Sequence, residues 1–444
     1  MPGSGSPGLS YAVAENGEIS AYQRGVMRIG EDDEVREDTA FMIGSITKSI
    51  TALAIMQLVE QGTLELDAPV ARYLPVFEDR PAASVTLRQL LSHTSGYSTV
   101  QGNQWQGDFS RAEDALTRRV ADLAGQSPEA AIGQAWQYSN ANYMILGRVI
   151  ERMSGLGYAA YVETRIFAPA GMEHSFVDPD PRNQAIATGH YPWFLTKQPN
   201  QPSLPNPGGA PAGGVHSSAS DIARYMALMM NGQDDIISAQ SKAMMMQPAS
   251  EASPYYGLGW YLDNSRNVVT HSGATPGFEA LATMIPAEQR GAVVLVNSGS
   301  GFGYGSTAHL REGLIAWALG IEYDGGPAGL GGKASYLLLL LAPLIFLAAI
   351  IWALLKSDQI RAKSGFAGMF SLWFPLFTIA GMAWALLAFV PSQFGTPLSG
   401  IRAFVPDVWV LLIATSVTGI LWAIARLAIA YWPEEQAIEE AVEG

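Results

Sequence analysis

Hydrophobic positions are unevenly distributed along this chain. Three stretches in the last quarter, 334 to 355, 366 to 390 and 408 to 432, each run for over 20 residues almost without charge. About 20 apolar residues suffice to cross a hydrocarbon layer of roughly 30 Å, so the pattern predicts three transmembrane helices. Before residue 334 the apolar positions are periodic instead. "LSYAVAENGEISAY" alternates and turns at Asn16-Gly17, a hairpin signal, and "FEALATMIPAEQRGAVVLVNS" predicts a second strand pair far along the chain. Residues 45 to 62 show helical spacing, with Ile46, Ile50, Leu53, Ala54 and Leu58 on one side, Ser45 as opening cap and Gly62 as stop. Residues 191 to 214, dense in Pro and Gly, read as a long loop.

Strands at both ends with helices between predict an α+β fold in which distant segments close one antiparallel sheet around a helical insert. The expected divisions are a globular domain over 1 to 322, a linker over 323 to 333, the three spans over 334 to 432 and an acidic tail over 433 to 444. No internal repeat is visible.

Charge adds direction and excludes partners. The connection after the first span carries Lys356, Arg361 and Lys363 against Asp358, while the next carries only Arg402, so the first loop is expected in the cytoplasm and the globular domain outside. Arg426, inside the third span, is placed to snorkel toward the same face as that loop. The N-terminus lacks a basic start and an apolar run, so the chain is expected to be a processed or re-engineered mature form. A net charge of -14 argues against nucleic acid, and the absence of cysteine removes disulfide and thiolate chemistry. The six histidines show no paired spacing, so neither a metal nor a cofactor is expected.

The segment "MIGSITKSITAL" (42 to 53) carries the first chemical signal. It lacks the glycines of a phosphate-binding loop. Ser45 and Lys48 are three residues apart and share a helix face, so the stretch is either a plain amphipathic helix or a serine nucleophile with a lysine base. Tyr138-Ser139-Asn140 stands just before a helix expected to begin near Asn142, where it is either a cap or a proton relay beside a substrate-holding amide. His271-Ser272-Gly273 ends a short β-rich run.

The three elements in this order resemble the serine β-lactamase and penicillin-binding-protein superfamily, in its class C-like branch of esterases and D-amino-acid peptidases. "LLSHTSGY", "PAGGVHSSASDIARYM" and "YGLGWYLD" extend the resemblance over roughly residues 7 to 320. It implies a β-lactamase/transpeptidase-like sheet flanked by helices. It further implies Ser45 as acylated nucleophile, Lys48 as base, Tyr138 as proton relay, and the N–H groups of Ser45 and Ala274 as oxyanion hole. Asn140, His271, Ser272 and Gly273 are expected to border the substrate, with His216 and Asn297 as further pocket candidates and His93 as a structural turn histidine. His271 stands where many relatives carry Lys, which tilts the expectation toward neutral acyl groups in an amide or ester. With its three spans the chain resembles the periplasmic peptidases of the colibactin-maturing type, which release an acyl-D-amino-acid cap. A bacterial inner-membrane location, a lipid bilayer partner and a small or peptide-like acylated substrate follow as expectations, against a penicillin-sensing receptor or a tethered β-lactamase.

Overall fold

A computed structural model describes residues 3–108, 110–177, 185–200, 206–323, 325 and 330–432. Strand β1 (Gly8–Glu15) returns as β2 (Glu18–Gly25) through Asn16 and Gly17, both at positive φ (51° and 87°), which matches the right-handed twist of a two-residue hairpin. β1 then pairs along its length with β10 (Arg290–Val296), from Leu9 opposite Val296 to Glu15 opposite Arg290. With β9 (Phe278–Ile285), β8 (Val268–Thr275) and β7 (Tyr261–Asp263) this forms, among the described residues, one six-stranded antiparallel sheet in the order β2-β1-β10-β9-β8-β7. The expected closure by distant segments is the observed topology. Two small ribbons accompany it, β3 (Phe41–Met42) with β6 (His216–Ser217), and β4 (His190–Trp193) with β5 (Thr196–Pro199).

The helix after Ser45 departs from expectation in two ways. It spans Thr47–Glu60 behind a tight 3-10 turn at Gly44–Ile46, and Ser45 makes no capping bond. Nor is it one-sided: residues 47 to 56 are all buried, because the helices Asn140–Ser154, Tyr158–Val162 and Ala210–Gly213 pack on it and the chain at Gly259 closes over Lys48 and Ser49. Its polar positions are therefore satisfied internally. Thr51 Oγ1 meets the Pro211 carbonyl and the Tyr158 hydroxyl, both at 2.7 Å, and Thr47 Oγ1 accepts from the Val215 N–H at 3.2 Å.

The expected loop over 191 to 214 also contains structure: the β4–β5 ribbon and a helical turn at Ala210–Gly213, with 201 to 205 outside the described residues.

Among the described residues three helices are long and apolar enough to cross a membrane: Leu330–Leu355, Gly365–Gln393 and Pro406–Tyr431. The first begins four residues before the expected 334, inside the expected linker; the acidic tail lies outside the described residues. The third span sits between the other two. Gly419 lets it approach closely, since a Cβ there would lie 3.0 Å from Ile379 and 3.3 Å from Phe346. Arg426 donates to the Ser371 carbonyl at 3.0 Å, and Lys363 to the Ser371 hydroxyl at 2.9 Å, so the arginine sits toward the end of the bundle that carries the first loop.

The opposite end touches the globular domain. Ser399 Oγ donates to the Gln106 carbonyl at 2.7 Å, and Asp407 accepts from Tyr304 at 2.5 Å. The segment after the second span thus shares a side with the globular domain. In a chain free of native cysteine, single cysteines at Ser20 and at Asp358 are expected to react with an impermeant maleimide from opposite faces of the membrane. Labelling of both from one face would contradict the fold.

Candidate active site

Two glycines bring the Ser45 turn onto strand β8. Gly44 has φ of +54°, and a Cβ on it would lie 2.6 Å from the Ala274 nitrogen; a Cβ on Gly273 would lie 1.9 Å from the Ile43 carbonyl oxygen. β7 pairs only with Val268–Thr270, so the edge of β8 beyond it is left for this contact. The backbone of Ser45 and that of Ala274 are therefore neighbours, as two oxyanion donors must be.

Lys48, one helical turn on, is fully buried, and its amine has three partners. Nζ lies 3.0 Å from Ser45 Oγ, 2.7 Å from Asn140 Oδ1 and 2.7 Å from the Ala212 carbonyl oxygen. The last two can only accept. A neutral amine has two hydrogens, which these acceptors take, and its lone pair is then left facing the serine hydroxyl. Burial pushes the lysine well below its ordinary value, in favour of that neutral form.

Tyr138 covers the amine. Its ring centroid lies 4.9 Å from Nζ and stacks on Tyr261 at 6.3 Å and 12°. Burial raises its pKa, against a weaker opposing pull from the Ser45 hydroxyl, so the phenol keeps its proton. The backbone that carries it is held by His93, which sits at φ +60° and accepts from the Ser139 N–H at 3.1 Å and the Asn142 amide at 3.0 Å through Nδ1. Ser139 Oγ donates to the Ser98 carbonyl at 2.8 Å. The helix behind the motif starts at Asn140, two residues before the expected Asn142.

His271 is buried beside this group without entering the cleft. Its Nδ1 lies 2.7 Å from the Ser272 carbonyl, which can only accept, so Nδ1 carries the proton and Nε2 accepts from the Tyr256 hydroxyl at 3.1 Å. Burial, above all, lowers its pKa to about 3. Ser272 points out to solvent. The two further pocket candidates are placed elsewhere. His216 stacks on Phe176 at 5.2 Å and 10° in the β3–β6 ribbon. Asn297 is fully buried and clamps the sheet edge: it accepts from the Gly8 N–H at 2.7 Å and donates to the Val26 and Met27 carbonyls at 3.2 and 3.0 Å.

The cleft in front of Ser45 has a volume of about 410 Å³. Met42, Trp105, Asn140, Phe278 and Phe404 line it, together with an ion pair in which Arg119 donates to Asp108 at 3.1 Å. Trp105, the ion pair and Phe404 were not singled out in the sequence, because no local pattern marks them.

The sequence profile of the beta-lactamase family matches residues 2–315. The chain belongs to that family. Penicillin-binding protein 4* of Bacillus subtilis (strain 168) is 30% identical over 292 residues, 61% of this chain; the chain spans 63% of that protein's length. The octameric penicillin-binding-protein homologue from Pyrococcus abyssi superposes with a TM-score of 0.61 at 26% identity, covering 72% of this chain and 75% of that one. A class C beta-lactamase shares the fold, with a TM-score of 0.56 at 22% identity over 66% of this chain and 86% of its own. The family match ends before the first span.

Buried histidines couple the fold to pH. His216 is lowered to about 4 by burial, and His271 to about 3. Each takes up its proton more readily in the unfolded chain, near pH 6.5, than in the folded one. Stability is thus complete above about pH 6.5 and lost as pH falls toward the folded values, at about 1.4 kcal/mol per unit for each group. The thermal midpoint of the globular domain is expected to fall between pH 7 and pH 5, and His216→Phe to flatten that slope. An unchanged midpoint would contradict the neutral, buried placement of both rings.

Proposed function

We propose that this protein is a membrane-anchored serine hydrolase that cleaves an amide or ester through an acyl-enzyme. The supporting observation is the Lys48 amine, 3.0 Å from Ser45 Oγ with two acceptors holding its hydrogens. In this reading the neutral amine takes the Ser45 proton as Oγ attacks the substrate carbonyl. The oxyanion rests on the N–H groups of Ser45 and Ala274, each worth about 10²–10³ in rate. Tyr138, kept protonated, passes a proton to the leaving group and regains one from the water that releases the acyl chain. Asn140 holds both the lysine and one wall of the cleft.

The substrate reading follows from charge. A neutral His271 outside the cleft offers no cation to a substrate carboxylate, and the Arg119 guanidinium is committed to Asp108. Apolar walls from Met42, Trp105, Phe278 and Phe404 suit an apolar acyl chain. We infer an N-acyl amide or ester, and in the membrane-linked architecture an acyl-D-amino-acid cap on a peptide-like molecule. The catalytic domain lies on the outer, periplasmic side of a bacterial inner membrane, from the charge of the first loop.

A fluorophosphonate probe should label the full-length protein, with Ser45→Ala abolishing labelling and Lys48→Ala lowering it at least about 10³-fold, comparable to losing an activating base. Tyr138→Phe is expected to slow turnover further along the path, at the leaving-group and deacylation steps. Acyl-D- and acyl-L-amino amides, short esters and a chromogenic cephalosporin then rank the substrates. Undiminished labelling of Ser45→Ala would defeat the proposal; rapid cephalosporin turnover without amide or ester cleavage would make this a tethered β-lactamase.

A further inference from the structure

The segment that joins the second and third spans lies on the substrate cleft. Asn103 Nδ2 donates to the carbonyl of Gly395 at 2.8 Å, a contact across 292 residues of sequence. Asn140 Nδ2 donates to Asn103 Oδ1 at 2.7 Å, and Asn140 Oδ1 accepts from Lys48 Nζ at 2.7 Å. The direction of this relay is fixed from its far end. A carbonyl only accepts, so Asn103 must turn its N–H₂ to Gly395; its oxygen then faces Asn140, whose own oxygen is left for the lysine. Turning either amide would set donor against donor or acceptor against acceptor.

The same segment is held firmly. Thr396 Oγ1 donates to Gln106 Oε1 at 2.5 Å, and Ser399 Oγ to the Gln106 carbonyl at 2.7 Å. Space is tight on both sides: a Cβ on Gly107 would lie 2.7 Å from the Ser399 oxygen, and one on Gly395 would lie 2.7 Å from Thr99. At its end Phe404 forms part of the cleft wall. These contacts put membrane-domain atoms within three hydrogen bonds of Ser45's partner.

We propose that residues 394–404 of the membrane domain are a working part of the active site, orienting Asn140 and through it Lys48 by way of Asn103, and closing the acyl pocket with Phe404. The proposal rests on the hydrolase reading above. Asn103 is then a positioning residue, and the spans do more than anchor: they carry one wall of the site.

The test uses full-length protein in nanodiscs and separates the chemical step from binding. With a fluorophosphonate probe, Asn103→Leu should lower the limiting labelling rate about tenfold while half-saturation and melting temperature hold. The acid limb of its pH profile should move to lower pH, because the lysine ammonium loses a well-oriented acceptor. Gly395→Val, which changes no residue of the hydrolase domain, should reproduce the rate loss by pushing the carbonyl away, and it decides alone if Asn103→Leu does not fold. With p-nitrophenyl esters, Phe404→Ala should raise KM for decanoate roughly tenfold more than for butyrate, the scale of a lost apolar contact. Wild-type labelling with unaltered rate and pH profile in both Asn103→Leu and Gly395→Val would overturn the proposal alone. A wild type that never reacts would overturn the hydrolase reading beneath it.

Discussion

One buried amine organises this structure. Taking an unpaired ammonium out of water costs at least several kcal/mol even after relaxation, so Lys48 must be neutral, well partnered, or both. It is held by the Asn140 amide oxygen and the Ala212 carbonyl, with the serine as third neighbour. Those partners come from three separate parts of the chain. The all-round burial of the Thr47–Glu60 helix is the same constraint seen from the backbone: a lysine can be dehydrated only where both faces of its helix are covered.

Closing the sheet with both ends of the hydrolase domain serves this purpose. β1 lies on β10, and Asn297 at the end of β10 binds the backbone at Gly8, Val26 and Met27. That tie fixes the sheet on which β8 presents Ala274. Gly44 and Gly273 then allow an approach that no side chain would permit. A buried polar residue at a strand end thus ties both ends of the sheet together through backbone groups alone.

How much of this could be read beforehand depended on the range of the physics involved. Asn16-Gly17 announced its hairpin because turn chemistry is local, and the serine-lysine spacing announced its pair because one helical turn sets it. The three spans were legible from length and apolarity alone. Of the two readings of Ser45, the helix cap failed because the residue sits inside a 3-10 turn packed on β8, more than two hundred residues away in sequence. His216 and Asn297 were candidates because the matching family segments border the cleft, whereas strand pairing puts one into the β3–β6 ribbon and commits the other to backbone. Asn103, which bonds Gly395 across 292 residues of sequence, and Trp105 and Phe404, which meet only as walls of one cleft, carried no local signal.

That meeting has its own fixed point. Asp407, at the start of the third span, is fully buried and accepts from Tyr304 of the hydrolase, Tyr336 of the first span and the Phe194 N–H of the β4–β5 ribbon, at 2.5, 2.8 and 3.3 Å. A carboxylate suits this place because the first turn of a helix has unpaired N–H groups and a positive dipole end. The ribbon reaches it through its two-residue turn, Phe194 and Leu195, both at the positive φ that such a hairpin turn demands of its central residues. Leu195 stays largely exposed at the tip. An anchor on a flexible tether would need none of this. The buried carboxylate, the amide relay from Gly395 and the Gln106 bonds to Thr396 and Ser399 are separate ties between the globular domain and the region that runs from the second span into the third.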